Sequence, residues 1–170
     1  IAEENSEETQ DLDLADDFSA GEQDAFNAGE ETTGTAAAPA DVYVTISNKG
    51  VLAKTKDNQP MAHQKVTVKD LNSDGVLTYD EALVAAHEAY AQADGYVTEN
   101  GQWGLTVKKL WGIDTTNTLY YLNGAALQSN VGDTKVSTVK ANDYLVASIN
   151  QDDVNYSDKY ASFDAVEKTV

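Results

Sequence analysis

From residue 42 the chain alternates: Val42, Val44 and Ile46 take every second position between polar neighbours, Asn48-Lys49-Gly50 follows, and Val51-Leu52 begin a return. Period two ending in a glycine turn predicts a β-hairpin. Beyond the break at Asn58-Gln59-Pro60, QKVTVKD places Val66 and Val68 on one side of a third predicted strand. At Tyr79 the period changes. YDEALVAAHEAYAQADG carries Leu83, Ala86, His87 and Tyr90 at helical spacing, with Gly95 as the stop. Afterwards GLTVKKLW, TLYYLNG with its Asn123-Gly124 turn, KVSTV, DYLVASI and DKYASFDAV all read as strands. The order predicts an α+β domain whose single helix lies across one face of a mostly antiparallel sheet.

The segment before the hairpin is of a different kind. Residues 1–40 hold twelve acidic residues and no basic one, ending in ETTGTAAAPA. Self-repulsion and too little apolar surface to offset ordering entropy predict a disordered acidic tail or linker there, with the domain spanning 41–170. The whole chain carries 29 acidic residues against 11 basic ones, all lysine, for a net charge of −18. That charge repels phosphate backbones and anionic headgroups, so nucleic acid is excluded as a partner. No apolar run approaches the roughly 20 residues of a membrane helix, so no direct membrane insertion is expected. There is no cysteine, which removes disulfides and sulfur-ligated zinc. A first residue Ile1 in place of methionine is read as a segment of an exported precursor.

Between the third strand and the helix lies DLNSDGVLTYDE, residues 70–81. An EF-hand loop wraps a hard divalent cation in oxygen ligands at loop positions 1, 3, 5, 7, 9 and 12, with glycine at 6 where the backbone turns sharply. Those positions are Asp70, Asn72, Asp74, Val76 (through its carbonyl), Thr78 and Glu81, and Gly75 is the turn. Leu77 at position 8 supplies an apolar anchor. A flexible all-oxygen cage suits Ca²⁺ better than Mg²⁺, which keeps its waters. The preceding QPMAHQKVTVKD reads as strand where an EF-hand has its entering helix, and NQDDVNYSD lacks the glycine and terminal glutamate of a second loop. A lone loop of this kind is expected to bind weakly, at about 10⁻⁵ to 10⁻³ M, as a structural ion.

Other residues carry less. His87, on the apolar stripe of the helix, is expected to be buried and hydrogen-bonded, and His63 solvated. Trp103, between glycines in GQWG, and the adjacent Tyr120 and Tyr121 are candidate ligand-face aromatics, with Tyr120 and Tyr121 necessarily on opposite faces of a strand. No phosphate loop, nucleophile elbow or metalloprotease motif occurs, so no enzymatic activity is expected.

The run DLNSDGVLTYDEALVAAHEAY, followed by GLTVKKLWG, TLYYLNGAAL, VKANDYLVASI and SDKYASF, resembles an exported-protein domain of uncharacterised function found in gut Firmicutes. That domain is related to the C-terminal, β-grasp-like domain of transcobalamin, and the resemblance spans residues 41–165. It implies a β-grasp-like fold in a modular, extracellular or cell-surface protein of Gram-positive type. The loop is also similar to dockerin calcium loops, but dockerins carry two loop-helix repeats and this chain one, so cohesin binding is not expected. The sequence thus points to a monomeric, non-enzymatic calcium-binding module with an adhesive or ligand-binding role toward a protein or carbohydrate. The alternative is a domain that binds a small ligand, cobalamin-like or carbohydrate.

Overall fold

The computed structural model describes residues 34–91, 95–161 and 169. Of the predicted acidic tail, residues 1–33 lie outside the described residues. In the remainder, Ala37 packs against the core and Ala40 already opens the first strand.

Among the described residues nine strands and one helix follow in the order β1 (Ala40–Asn48), β2 (Val51–Leu52), β3 (Gln64–Val68), α1 (Tyr79–Tyr90), β4 (Val97–Gly101), β5 (Gly104–Leu110), β6 (Ile113–Asp114), β7 (Thr118–Leu122), β8 (Ala125–Ala126) and β9 (Tyr144–Ile149). The main sheet runs β2-β1-β9-β7-β8, with β3 also paired to β1. All its pairings are antiparallel except one: β9 lies parallel to β1 with Val44 opposite Leu145 and Ile46 opposite Ala147. The sheet is therefore mixed. A second antiparallel sheet, β4-β5-β6, contributes Leu105, Val107 and Leu110 to the same core.

Alternation decides which face is covered. Val42, Val44 and Ile46 of β1, Val66 and Val68 of β3, and Leu145, Ala147 and Ile149 of β9 are buried together with Leu83 and Ala86 of α1. Each Val, Leu and Ile side chain among them contributes about 1.5–3 kcal/mol by leaving water. Two predicted hairpin turns have the geometry that their residues suggest: Lys49-Gly50 and Asn123-Gly124 both take positive φ at two successive positions, as the twist of a two-residue hairpin requires. Trp111-Gly112 makes a third such turn, between β5 and β6, which the alternation did not reveal.

Helix α1 starts where Thr78 caps it. Thr78 is extended, its hydroxyl accepts from the Glu81 backbone N–H, and the Glu81 carboxylate accepts from the Thr78 N–H in return. This reciprocal pair satisfies two otherwise orphaned donors of the first turn. Tyr79 is fully buried and its hydroxyl donates to the carbonyls of Val146 (2.8 Å) and Tyr121 (3.1 Å), stitching the helix start to β9 and β7. The helix ends at Tyr90, before the predicted stop at Gly95.

Two predicted strands differ. KVSTV is turn and loop: the Asp133 carboxylate accepts from the N–H groups of Lys135 and Val136, winding the backbone into a turn in place of extension. Only Thr138 makes a bridge, to Thr78. DKYASFDAV has no strand at 158–161, and residues 162–166 lie outside the described residues. Among the described residues no helix is long and apolar enough to cross a membrane.

Candidate functional site

The loop 70–81 hangs between β3 and α1 and is organised by its own acids. Asp70 Oδ2 accepts from the N–H groups of Gly75 (2.9 Å) and Ala37 (2.8 Å), and Asp70 Oδ1 from that of Asp74 (3.2 Å). Asp74 Oδ1 accepts from the Val76 N–H at 3.0 Å, and Asn72 Oδ1 from the Asp74 N–H at 3.3 Å. Ser73 and Gly75 both take positive φ, 58° and 89°, so the sharp turn that the glycine predicted is present.

Below the turn the loop is pinned to the domain. Leu77 is buried, and its carbonyl accepts from the Val139 N–H at 2.8 Å; the Tyr79 and Asp80 N–H groups donate to Ser137 O and Val131 O. The segment 131–139 thus lies along the loop and fixes the start of the helix. Asp80 is fully buried and accepts from the Tyr96 hydroxyl at 2.6 Å, tying the first turn of α1 to the start of the second sheet.

Glu81 is the most constrained member. It is 4% exposed; Oε1 accepts from the Leu71 N–H (2.8 Å), and Oε2 from the N–H (2.8 Å) and hydroxyl (3.1 Å) of Thr78. Burial pushes its carboxyl up to about 7, against the lowering effect of those hydrogen bonds. A carboxylate so desolvated gains more from a nearby cation than an exposed one does.

Asn72, Asp74, Thr78 and Glu81 line one cavity of about 240 Å³, faced on its other side by Asn130, Gly132, Asp133 and Thr134. Four of the six predicted ligand positions therefore share one space. Asp70 and Val76 are not among its walls: Asp70 is turned toward Ala37 and Gly75. Among the described residues no three His, Cys, Asp or Glu side chains converge as a ready metal cluster. The turn at Asn130-Asp133 escaped the sequence pattern; its only signal is the turn composition of SNVGD.

The aromatic candidates fall in different places. Trp103 is 84% exposed at the tip between β4 and β5, where its carbonyl accepts from Asn130 Nδ2 at 3.4 Å. Tyr120 points to the helix side and meets Tyr79 edge-on, 5.6 Å between centroids. Tyr121 points to the opposite face and stacks on Tyr160 at 4.0 Å. The three form no single platform. The open face carries a different group: the exposed His63 lies flat on Tyr43 at 4.5 Å and tilted against Tyr144 at 5.0 Å. Residues far apart in sequence make that stack, so no local pattern announces it.

His87 is buried, and both ring nitrogens are engaged. Nδ1 meets Leu83 O at 2.7 Å, and Nε2 accepts from the Trp111 N–H at 2.9 Å, which assigns the proton to Nδ1. Burial holds the ring neutral by lowering its pKa to about 4. Such a ring joins α1 to the β5-β6 turn and has no free position for proton transfer. No protein-family model matches the chain, and no curated protein matches it significantly.

Proposed function

We propose that this chain is a non-enzymatic, exported β-grasp-like module in which one calcium ion is held structurally by the loop 70–81, with an adhesive or ligand-binding role outside the cell. The observation that carries the reading is the cavity at the helix start, which Asn72, Asp74, Thr78 and Glu81, all bearers of side-chain oxygen, line together. The donor set fits calcium: carboxylate, amide, hydroxyl and backbone carbonyl oxygen, with neither nitrogen nor sulfur required. Each carboxylate oxygen that accepts an N–H retains lone-pair capacity for a cation. Asp70 and the Val76 carbonyl complete the set. The ion supplies positive charge against the desolvated Glu81 and clips the end of β3 to the start of α1.

The strand order β2-β1-β9-β7-β8, with its one parallel pair at the centre and a helix on one face, supports the β-grasp assignment. Pinning of Leu77 and Tyr79 to Val139 and Ser137 gives a single loop the support that a second loop provides in paired sites. Weak affinity in the 10⁻⁵ to 10⁻³ M range suits an extracellular setting.

The test is a calorimetric titration of calcium into chelator-treated protein, with amide NMR shifts followed in parallel and Glu81→Gln as control. One saturable site that moves residues 70–81 and is lost in the control is the expected result. No heat and no shift up to about 10 mM, beyond the weak end of the range, would overturn the proposal.

A second reading, small-ligand binding of carbohydrate or cobalamin-like type, is favoured by one observation: the Tyr43, His63 and Tyr144 rings gathered on the face opposite the helix. Saturation-transfer NMR against a panel of sugars and cobalamin, repeated with Tyr144→Ala, separates this reading from the first.

A further inference from the structure

Alternation gives the main sheet a second face. Val42, Val44 and Ile46 of β1 and Leu145, Ala147 and Ile149 of β9 turn to the core, so Tyr43, Thr45 and Ser47 and Tyr144, Val146 and Ser148 stand on the side away from α1. On β7, Tyr121 lies directly opposite Val146 and Leu119 opposite Ser148, on the same side. This face is not uniformly wet. Thr45 is 8% exposed and Val146 6%, although Val146 stands outside the apolar core. Two groups lie over this region. The Tyr144 hydroxyl meets Thr45 Oγ1 at 3.0 Å, and the Tyr160 ring is stacked on Tyr121 at 4.0 Å, with 13° between the planes.

Tyr160 arrives on a strap. Asn150 is anchored just past β9, its N–H donating to Asn117 O at 3.0 Å and its Nδ2 to Asn117 Oδ1 at 2.6 Å. From there the chain bonds to itself. Asp158 accepts from the N–H groups of Gln151 and Asp152, and Asp152 accepts from those of Val154, Asn155 and Ser157 and from the Ser157 hydroxyl. Among the described residues no hydrogen bond joins 151–160 to the sheet. Tyr160 supplies its ring contact, and that contact is imperfect: the Tyr160 hydroxyl is buried without a partner, a costly arrangement.

What the ring covers has a definite chemistry. Tyr121 offers a flat aromatic surface, and the neighbouring strands offer the hydroxyls of Thr45, Ser47 and Ser148, the last two sharing a hydrogen bond at 2.9 Å. The Tyr43 ring is already covered by His63, which lies flat on it, so the outer side of His63 and the ring of Tyr144 border the patch. These positions of β1, β9 and β7 include no charged side chain. Lys65, opposite Tyr43, is paired with Asp41 at 3.4 Å, and Asp158 and Lys159 belong to the strap itself. Aromatic faces beside hydroxyls suit a neutral pyranose ring, apolar on its C–H faces and rich in hydroxyls at its edge.

We propose that this face takes a neutral oligosaccharide, one pyranose ring stacking on Tyr121 and its hydroxyls reaching Ser47 and Ser148, and that the strap 151–160 holds Tyr160 in the place of that ring until the sugar displaces it. Sugar binding here rests on the second reading above, to which the strap adds a competitor built into the chain. A strap closed about nine-tenths of the time weakens apparent affinity about tenfold. Removing the Tyr160 ring restores it.

Titration of the full chain with cellohexaose, mannohexaose and chitohexaose, followed by amide NMR, tests this. The sugar that binds is expected to bind Tyr160→Ala about ten times more tightly than wild type, to move the amides of residues 151–160 in wild type toward their positions in Tyr160→Ala, and to lose its affinity in Tyr121→Ala. Tyr160→Phe keeps the ring and loses the hydroxyl that lacks a partner, so its strap stays shut and its affinity does not exceed that of wild type. Amide shifts in α1 report that each variant is folded. A sugar that binds wild type and Tyr160→Ala equally, or that needs Tyr144 but not Tyr121, would overturn the strap and leave the carbohydrate reading in place. Binding of none of the three sugars by wild type or any variant would overturn both.

Discussion

Glu81 makes the stability of the calcium-free protein depend on pH in a direction opposite to that of most native carboxylates. Its ordinary value of 4.5 rises to about 7 in the folded state. Between those values the folded chain binds more protons than the unfolded one, so stability is fully present below pH 4.5 and is lost as pH rises toward 7. The shift corresponds to about 3 kcal/mol at 1.36 kcal/mol per unit. His87 acts oppositely over an overlapping window. Its folded value of about 4, against an ordinary 6.5, removes stability as pH falls through that range, again by about 3 kcal/mol. In the wild type the two slopes largely cancel between pH 4.5 and 6.5, so the whole-protein profile hides both. Glu81→Gln removes one slope and keeps the other, as well as the background of 29 acidic residues less one. Urea denaturation in chelator from pH 4.5 to 7.5 is therefore expected to show the difference between wild type and variant shrinking or reversing by about 3 kcal/mol as pH rises. On the proposed calcium site, saturating calcium should let the wild type retain its stability at pH 7, because an ion beside Glu81 would take the place of the proton. A constant difference across this range in chelator would refute the reasoning, since it would mean that the buried carboxylate titrates as it does in the unfolded chain.

Gly75→Ala places a side chain at φ 89°, and is expected to cost about 1–2 kcal/mol in thermal unfolding and to weaken calcium binding measured by calorimetry. Tyr79→Phe removes the hydroxyl that donates to Val146 and Tyr121, leaving two buried carbonyls one donor short; a loss of about 1–2 kcal/mol by urea denaturation is expected. His87→Ala empties buried volume and strips the Trp111 N–H of its acceptor, so a loss of about 2–4 kcal/mol is expected, together with a change in Trp111 fluorescence. Trp103→Ala, at an 84% exposed tip, should move stability by less than about 0.5 kcal/mol in the same assay.

Local signals were legible wherever one residue type has one job. Asn123-Gly124 and Lys49-Gly50 gave their turns, Val42-Val44-Ile46 gave the buried face of β1, and the Thr78–Glu81 spacing marked the helix start. What failed was decided by partners distant in sequence. Val136 and Thr138 have strand propensity, but Asp133 captures the adjacent N–H groups and bends the chain. The strand Val97–Gly101 lacks apolar alternation because much of it is exposed, and it forms only because β5 folds back on it. Asn130 and Asp133 reach the cavity of the loop through a contact that no spacing encodes. For Tyr43, His63 and Tyr144 the sequence separation is simply too great for any periodicity to register.

The parallel pairing of β1 with β9 sets when the protein can exist. The central ladder joins Tyr43 to Tyr144 and Asn48 to Ile149, across about a hundred intervening residues. Closing so long a loop must precede any reward from the pairing, which makes the step slow relative to local hairpins and the helix. A ribosome-bound chain that has not yet exposed Ile149 lacks the third strand paired to β1 and cannot complete the sheet around Val44 and Ile46. Until β9 emerges, the nascent polypeptide can hold its local hairpins and helix but not the centre of its main sheet.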